Sequence, residues 1–193
     1  MGAMNAELHL ILFGGRLQLI SNDAVYSDGD KYIPAVKVVS HLKKQLPSIK
    51  NVLVLGSGLG SIVYVMRKRG VDPHFTLVEQ DKVVLKWAME LLDEENEDKV
   101  TPVCMDARAF MLQNANKYDL VFIDIFDGLF VPDFVCSKEF LVQCKSSLAP
   151  GGHIAFNYIA NDDRKWEQVR SLFTEIFPGH KVINVSINKI FVC

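Results

Sequence analysis

The sequence predicts an α/β domain: a mostly parallel, seven-stranded sheet with helices on both faces, preceded by a short N-terminal β-hairpin. Three observations carry this. From Asn51 onward, runs that are apolar at consecutive positions alternate with helix-length amphipathic stretches, the pattern of strands buried on both faces. Runs such as "NVLVLG", "FTLVEQ" and "YDLVFID" end in glycine, Glu or Asp. The tail "HKVINVSINKIFVC" is strand-like throughout, with Asn188-Lys189 as its expected turn, so a closing antiparallel hairpin completes the count.

The elements follow in order. Met1-Gly2-Ala3-Met4 reads as an expression remnant outside the fold. "LHLILFGGRLQLIS" is a hairpin about Gly14-Gly15, and "NDAVYSDGD" is turn-rich. Residues 1–30 thus form a hairpin and turn, and residues 31–193 the main domain. Val38, Val39, Leu42 and Leu46 mark a helical stripe over Pro34–Leu46. "NVLVLG", "FTLVEQ", "VTPVCMD", "YDLVFID" and "GGHIAFNYI" are the five strands. The helices between and after them are "SIVYVMRKRG", "DKVVLKWAMELLDEEN", "ARAFMLQNAN", "SKEFLVQCKSSL" and "RKWEQVRSLFTEIF". The acidic run Asp93–Asp98 reads as a solvated helix end.

Composition narrows the function classes. With 193 residues, 49% apolar and 23% charged, the chain can bury a full core. A net charge of −2 gives no electrostatic footprint for nucleic acid or an anionic membrane. No apolar run has the length of a membrane span. Cys104, Cys136, Cys144 and Cys193 form no CxxC pair and fit free thiols, so a cytoplasmic location is expected. The five histidines make no metal-ligand spacing, and no metal is expected.

Sheets of this type bind ligands at the C-terminal ends of their strands, where strand order reverses. The residues at those ends are therefore the candidate site. The first strand leads into Gly56-Ser57-Gly58-Leu59-Gly60-Ser61. Glycines there allow a tight turn and close approach of a ligand to the backbone. Ser61 stands where a dinucleotide fingerprint has its third glycine, which argues for a nucleoside without pyrophosphate and against a nicotinamide-dependent oxidoreductase. Glu79, followed by Gln80, ends the second strand and can accept ribose hydroxyls. Asp106 ends the third and can accept from an adenine amine, with Ala107 leaving room for the ring. Asp124 and Asp127 end the fourth, in "DIFDG".

This set of strand ends resembles the spermidine synthase-like branch of the class I S-adenosylmethionine-dependent methyltransferase superfamily, over about residues 16–160. Asp124-Ile125-Phe126-Asp127-Gly128 is similar to the D-x-x-D pair of polyamine aminopropyltransferases, and "NDAVY" to their acidic turn before an active-site tyrosine. The resemblance implies a Rossmann-like domain with S-adenosylmethionine, or its decarboxylated form, as cofactor. Gly56, Ser57, Gly58, Leu59, Gly60, Glu79, Gln80, Asp106, Ala107 and Asp124 would bind it. Asp124 would face the reacting centre, with Asp127 and Tyr26 helping to place a small-molecule acceptor such as an amine.

Departures from the family pattern bear on the reaction. Leu59 stands where aminopropyltransferases carry the acid of G-G-G-D-G-G, and Ser27-Asp28-Gly29 follows Tyr26 in place of His or Gln and then Glu. The expectation is a methyltransferase on a spermidine synthase-like frame. An aminopropyltransferase is the alternative, and a non-catalytic nucleoside-binding module a further one. The sparsely charged hairpin predicts a homodimer through its edge.

Overall fold

A computed structural model describes residues 7–92 and 97–193. Met1–Met4, and residues 93–96 of the acidic run, lie outside the described residues. Three strands, β1 (His9–Phe13), β2 (Arg16–Ile20) and β3 (Val25–Ser27), form a small antiparallel sheet in the order β1-β2-β3. The expected hairpin is there, and the segment read as a turn supplies a third strand. A short side-chain network ties that strand down: Asp28 accepts from Arg16 and Gln18 of β2, and Ser27 Oγ accepts from Leu59 N at 2.8 Å.

The main sheet contains β4 (Asn51–Leu55), β5 (His74–Glu79), β6 (Val100–Cys104), β7 (Tyr118–Ile123), β8 (Leu148–Ile159), β9 (Lys181–Val185) and β10 (Asn188–Val192). Their spatial order is β6-β5-β4-β7-β8-β10-β9. The first five are parallel, and β10 runs antiparallel to both β8 and β9. Helices α1 (Ile33–His41), α2 (Ser61–Arg67), α3 (Lys82–Leu92), α4 (Ala107–Gln113), α5 (Lys138–Ser146) and α6 (Asp163–Ile176) connect and cover the sheet.

Alternation along each strand feeds two cores. On β4, Val52 and Val54 join the core under α1 and α2, while Leu53 and Leu55 join the opposite one under α4, α5 and α6. The second core is the more aromatic. Phe173 stacks on Phe191 at 4.4 Å and on Phe177 at 4.6 Å, and Trp166 lies against Tyr158 and Phe191 as packing.

The tail hairpin turns two residues earlier than expected. Asn188 pairs with Val185, so Ser186-Ile187 is the turn, and Ser186 takes the left-handed conformation at φ 52°. Asn188 is therefore a ladder residue of β10. The chain runs outward from β4 through β5 and β6, then returns to β7 on the other side of β4. That places the reversal of strand order between β4 and β7, and the candidate residues meet there.

Candidate active site

Gly56 follows β4 at φ 80°, and a Cβ on it would lie 2.4 Å from the carbonyl oxygen of Asp124. Only glycine allows the loop and the tip of β7 to come so close. Gly58 at φ 50° has the same requirement from another direction, because its Cβ would meet Ser27 Oγ at 2.5 Å. The small N-terminal sheet is thus seated directly on the glycine loop.

These parts enclose a cavity of about 220 Å³. Gly56, Gly58, Glu79, Gln80, Asp106, Ala107, Asp124, Asp127 and Tyr26 all line it. Ser57, Leu59 and Gly60 do not. Leu59 is 2% exposed and packs with Leu19 and Val84 behind the wall. The ionisable side chains lining the cavity, among the described residues, are Tyr26 and the acids Glu79, Asp81, Asp106, Asp124 and Asp127.

Each acid is held differently. Glu79 accepts from Gly58 N at 3.2 Å and from Asp81 N at 3.1 Å, and burial raises its pKa against those backbone donors. Asp106 caps α4 by accepting from Ala109 N at 2.9 Å. Asp127 is exposed on a tight turn whose backbone pairs with Phe130. Asp124 shows part of its surface to the cavity and is otherwise enclosed. Its Oδ1 accepts from Asn157 Nδ2 at 2.8 Å and from Tyr32 OH at 3.3 Å. Burial outweighs both donors and drives its carboxyl up to about 7. The hydroxyl of Tyr26 accepts from Gly128 N at 2.6 Å, fixing the loop after β7, and burial raises its pKa.

Sequence reasoning missed Tyr32, Asn157 and Asn188. Tyr32 sits at the start of α1, is 7% exposed, and its pKa is pushed well up by burial and by Asp124 beside it. Asn157 is fully buried in β8. An amide inside the apolar strand "HIAFNYI" was the one signal that could have found it, since a buried polar side chain needs a partner. Asn188 Nδ2 donates to Asn157 Oδ1 at 3.0 Å, which extends the network across β10.

A second cavity of about 350 Å³ adjoins the first, and Tyr26 and Phe126 line both. Its other walls come from the β2–β3 region, the start of α1, the loop after β7 and the β9–β10 turn. Tyr32 and Asn188 line this cavity while their network reaches Asp124 in the first.

The fold is that of S-adenosylmethionine-using transferases. A probable spermidine synthase from Corynebacterium glutamicum superposes with a TM-score of 0.79 at 18% identity, covering 96% of this chain and 75% of that one. Human methyltransferase-like protein 13, in complex with SAH, gives 0.68 at 21% identity, covering 85% and 80%. By sequence, the chain is 28% identical to a polyamine aminopropyltransferase of Alkaliphilus metalliredigens over 184 residues, 90% of this chain and 64% of that protein. It is 35% identical to an N-terminal histidine N-methyltransferase of Emericella nidulans over 136 residues, 66% of this chain and 23% of that protein. The chain thus spans less than two thirds of the length of these curated relatives. Residues 35–176 match the spermine/spermidine synthase domain, and the chain belongs to that family.

Proposed function

We propose that the chain transfers an aminopropyl group from decarboxylated S-adenosylmethionine to an amine. The observation that carries this is the charge of the first cavity, whose described lining brings five carboxylates and no Lys, Arg or His. Intact S-adenosylmethionine carries a carboxylate, which would meet acids there with no cation to receive it. The decarboxylated form has only an ammonium and a sulfonium to place. The family match and the aminopropyltransferase relative support the same choice.

In this reading Glu79 accepts the ribose hydroxyls and Gln80 lies beside them. Asp106 and Ala107 receive the adenine edge, and Gly56 and Gly58 permit the close approach of the nucleoside. The bound sulfonium supplies an activated carbon next to Asp124. The acceptor amine enters from the second cavity, past Tyr26 and Phe126. Its nitrogen forms the new C–N bond as the C–S bond breaks, and the electron pair of that bond leaves on sulfur as a neutral thioether. The surplus proton on nitrogen passes to the Asp124 carboxylate. Asp127 and Tyr26 hold the loop that brings the amine into line.

Leu59 favours a second reading, methyl transfer to an amine. It stands at the position where the aminopropyltransferases that the loop resembles carry an acid, and its side chain packs behind the wall. The chemistry at Asp124 is the same in both. Calorimetric titration with S-adenosylmethionine and, separately, with its decarboxylated form decides between them. Tighter binding of the decarboxylated form is expected. Preference for the intact form would overturn aminopropyl transfer in favour of methyl transfer, and binding of neither would leave a non-catalytic module.

A further inference from the structure

A chain of amides has a direction. Asn188 Nδ2 donates to Asn157 Oδ1, and Asn157 Nδ2 donates in turn to Asp124 Oδ1. Asn157 is fully buried, so it has no solvent to fall back on when a partner is lost. While Asn188 donates, Asn157 must turn its NH2 toward Asp124, the arrangement that suits an ionised carboxylate. With the chain reversed, Asn157 would present its carbonyl oxygen to Asp124, and that contact is favourable only if the acid carries a proton.

We propose that Asn188 is a positioning residue: it fixes the direction of the Asn157 amide and thereby holds Asp124 as a proton acceptor in the first cavity. Its place supports this. Asn188 opens β10 and lines the second cavity, whereas Asp124 lines the first, so the relay crosses from one to the other through β8. Tyr32, at the start of α1, adds a donor to the same oxygen at 3.3 Å. Across the first cavity stand Glu79 at the tip of β5, Asp81 just beyond it, Asp106 after β6, Asp127 in the loop after β7 and Tyr26 on β3. Asp23, Asp28 and Lys31 line the second cavity, with Asp28 held by Arg16 and Gln18 and Asp23 beside Gly128. Asn157 and Tyr32, the side chains that donate to the Asp124 carboxylate, are both neutral, and the direction of the amide chain decides whether the stronger of them donates.

The effect on turnover rests on the aminopropyl reading above, but the direction of the chain does not. The test is a carboxyl carbon NMR titration of the full chain, with the Asp124 signal identified by its loss in Asp124→Asn. Asn188→Asp keeps the size of the side chain but can only accept, so it should reverse the amide and raise the Asp124 midpoint by about one pH unit, a tenfold change in proton affinity. Asn188→Ala removes the donor without adding charge and should raise the midpoint in the same direction by less. Lys189→Asp alters charge on the other face of the same strand and controls for through-space effects. An unmoved midpoint in both Asn188 variants overturns the proposal, as does an equal rise in Lys189→Asp. In a turnover assay with decarboxylated S-adenosylmethionine and an amine, Asn188→Ala should lose rate near pH 7 and recover toward wild type above the shifted midpoint. A loss independent of pH would count against the relay. No turnover by the wild-type protein would count against the aminopropyl reading, and the titration would still decide the relay.

Discussion

Strand β7 carries an aspartate at each end of its apolar run, and the two have opposite fates. Asp119, near the start, accepts from the backbone N–H groups of Lys50 and Asn51 at 2.8 and 2.9 Å. It pins the beginning of β4 to β7. Asp124, just past the other end, faces the crevice where strand order reverses, and among the described residues its carboxylate is held only by the side chains of Asn157 and Tyr32. Backbone donors tie the first acid into the scaffold, whereas the second rests on side chains at the edge of a cavity. The same residue type is a clamp at one end of the strand and, on the proposed reading, the reactive group at the other.

The largest expected break in that comparison is in turnover. Asp124→Asn should lower it by roughly 10²–10⁴-fold, the span ascribed to a lost general base, while Asp119→Ala stays near wild type. A transfer assay on both variants checks this, and comparable losses would erase the distinction. The next effect is on stability. Burial raises the pKa of Asp124 above its ordinary value to about 7, so the folded protein holds its proton more tightly than the unfolded chain does. Its contribution is then fully favourable below the ordinary carboxyl value and is lost as pH rises through about 7. Asp124→Asn should therefore stabilise the ligand-free protein at pH 8 by a few kcal/mol, because a tenfold difference in proton affinity between folded and unfolded chain is worth about 1.4 kcal/mol. At pH 4 the gain should be much smaller. Thermal melts at both values measure it; equal melting shifts would refute the linkage.

Asp119→Ala should cost about 1–3 kcal/mol, because it removes two hydrogen bonds worth about 0.5–1.5 kcal/mol net each; denaturant unfolding reads this, and a neutral result would mean that water replaces the carboxylate. The smallest effect sharpens the comparison with a third acid. Glu79 uses backbone donors, as Asp119 does, yet lies on the cavity wall. Glu79→Gln should weaken binding of the sulfonium nucleoside by about tenfold, or 1.4 kcal/mol, with the rate at saturation nearly unchanged. Calorimetry and saturation kinetics separate the two.

How much of this was legible in the sequence depended on whether a residue acts through its place in the chain or through a partner. Gly56, Glu79, Asp106 and Asp124 could be found because each ends an apolar run, and parallel sheets put such ends together. Tyr32 and Asn157 could not be assigned to Asp124, since their contacts join positions 92 and 33 residues apart in the chain. Asn188 was misplaced because Asn-Lys is turn-like in composition, while pairing with β8 and β9 fixes the turn at Ser186-Ile187. Leu59 was read from its position in the glycine motif, yet its side chain belongs to a small apolar cluster with Leu19 and Val84. The third N-terminal strand escaped notice for a related reason: Val25–Ser27 is too short to show a period and is held by pairing with β2.

Among the described residues, the two cavities share only Tyr26 and Phe126. The first draws most of its wall from the tips of β4, β5, β6 and β7. The second borrows its wall from the small sheet, the opening of α1 and the β9–β10 turn, which sit at the margins of the main sheet. On the proposed reading, substitutions around the second cavity therefore leave most of the strand-tip contacts of the nucleoside in place. On that reading, such a division lets the recipient change while the donor stays fixed.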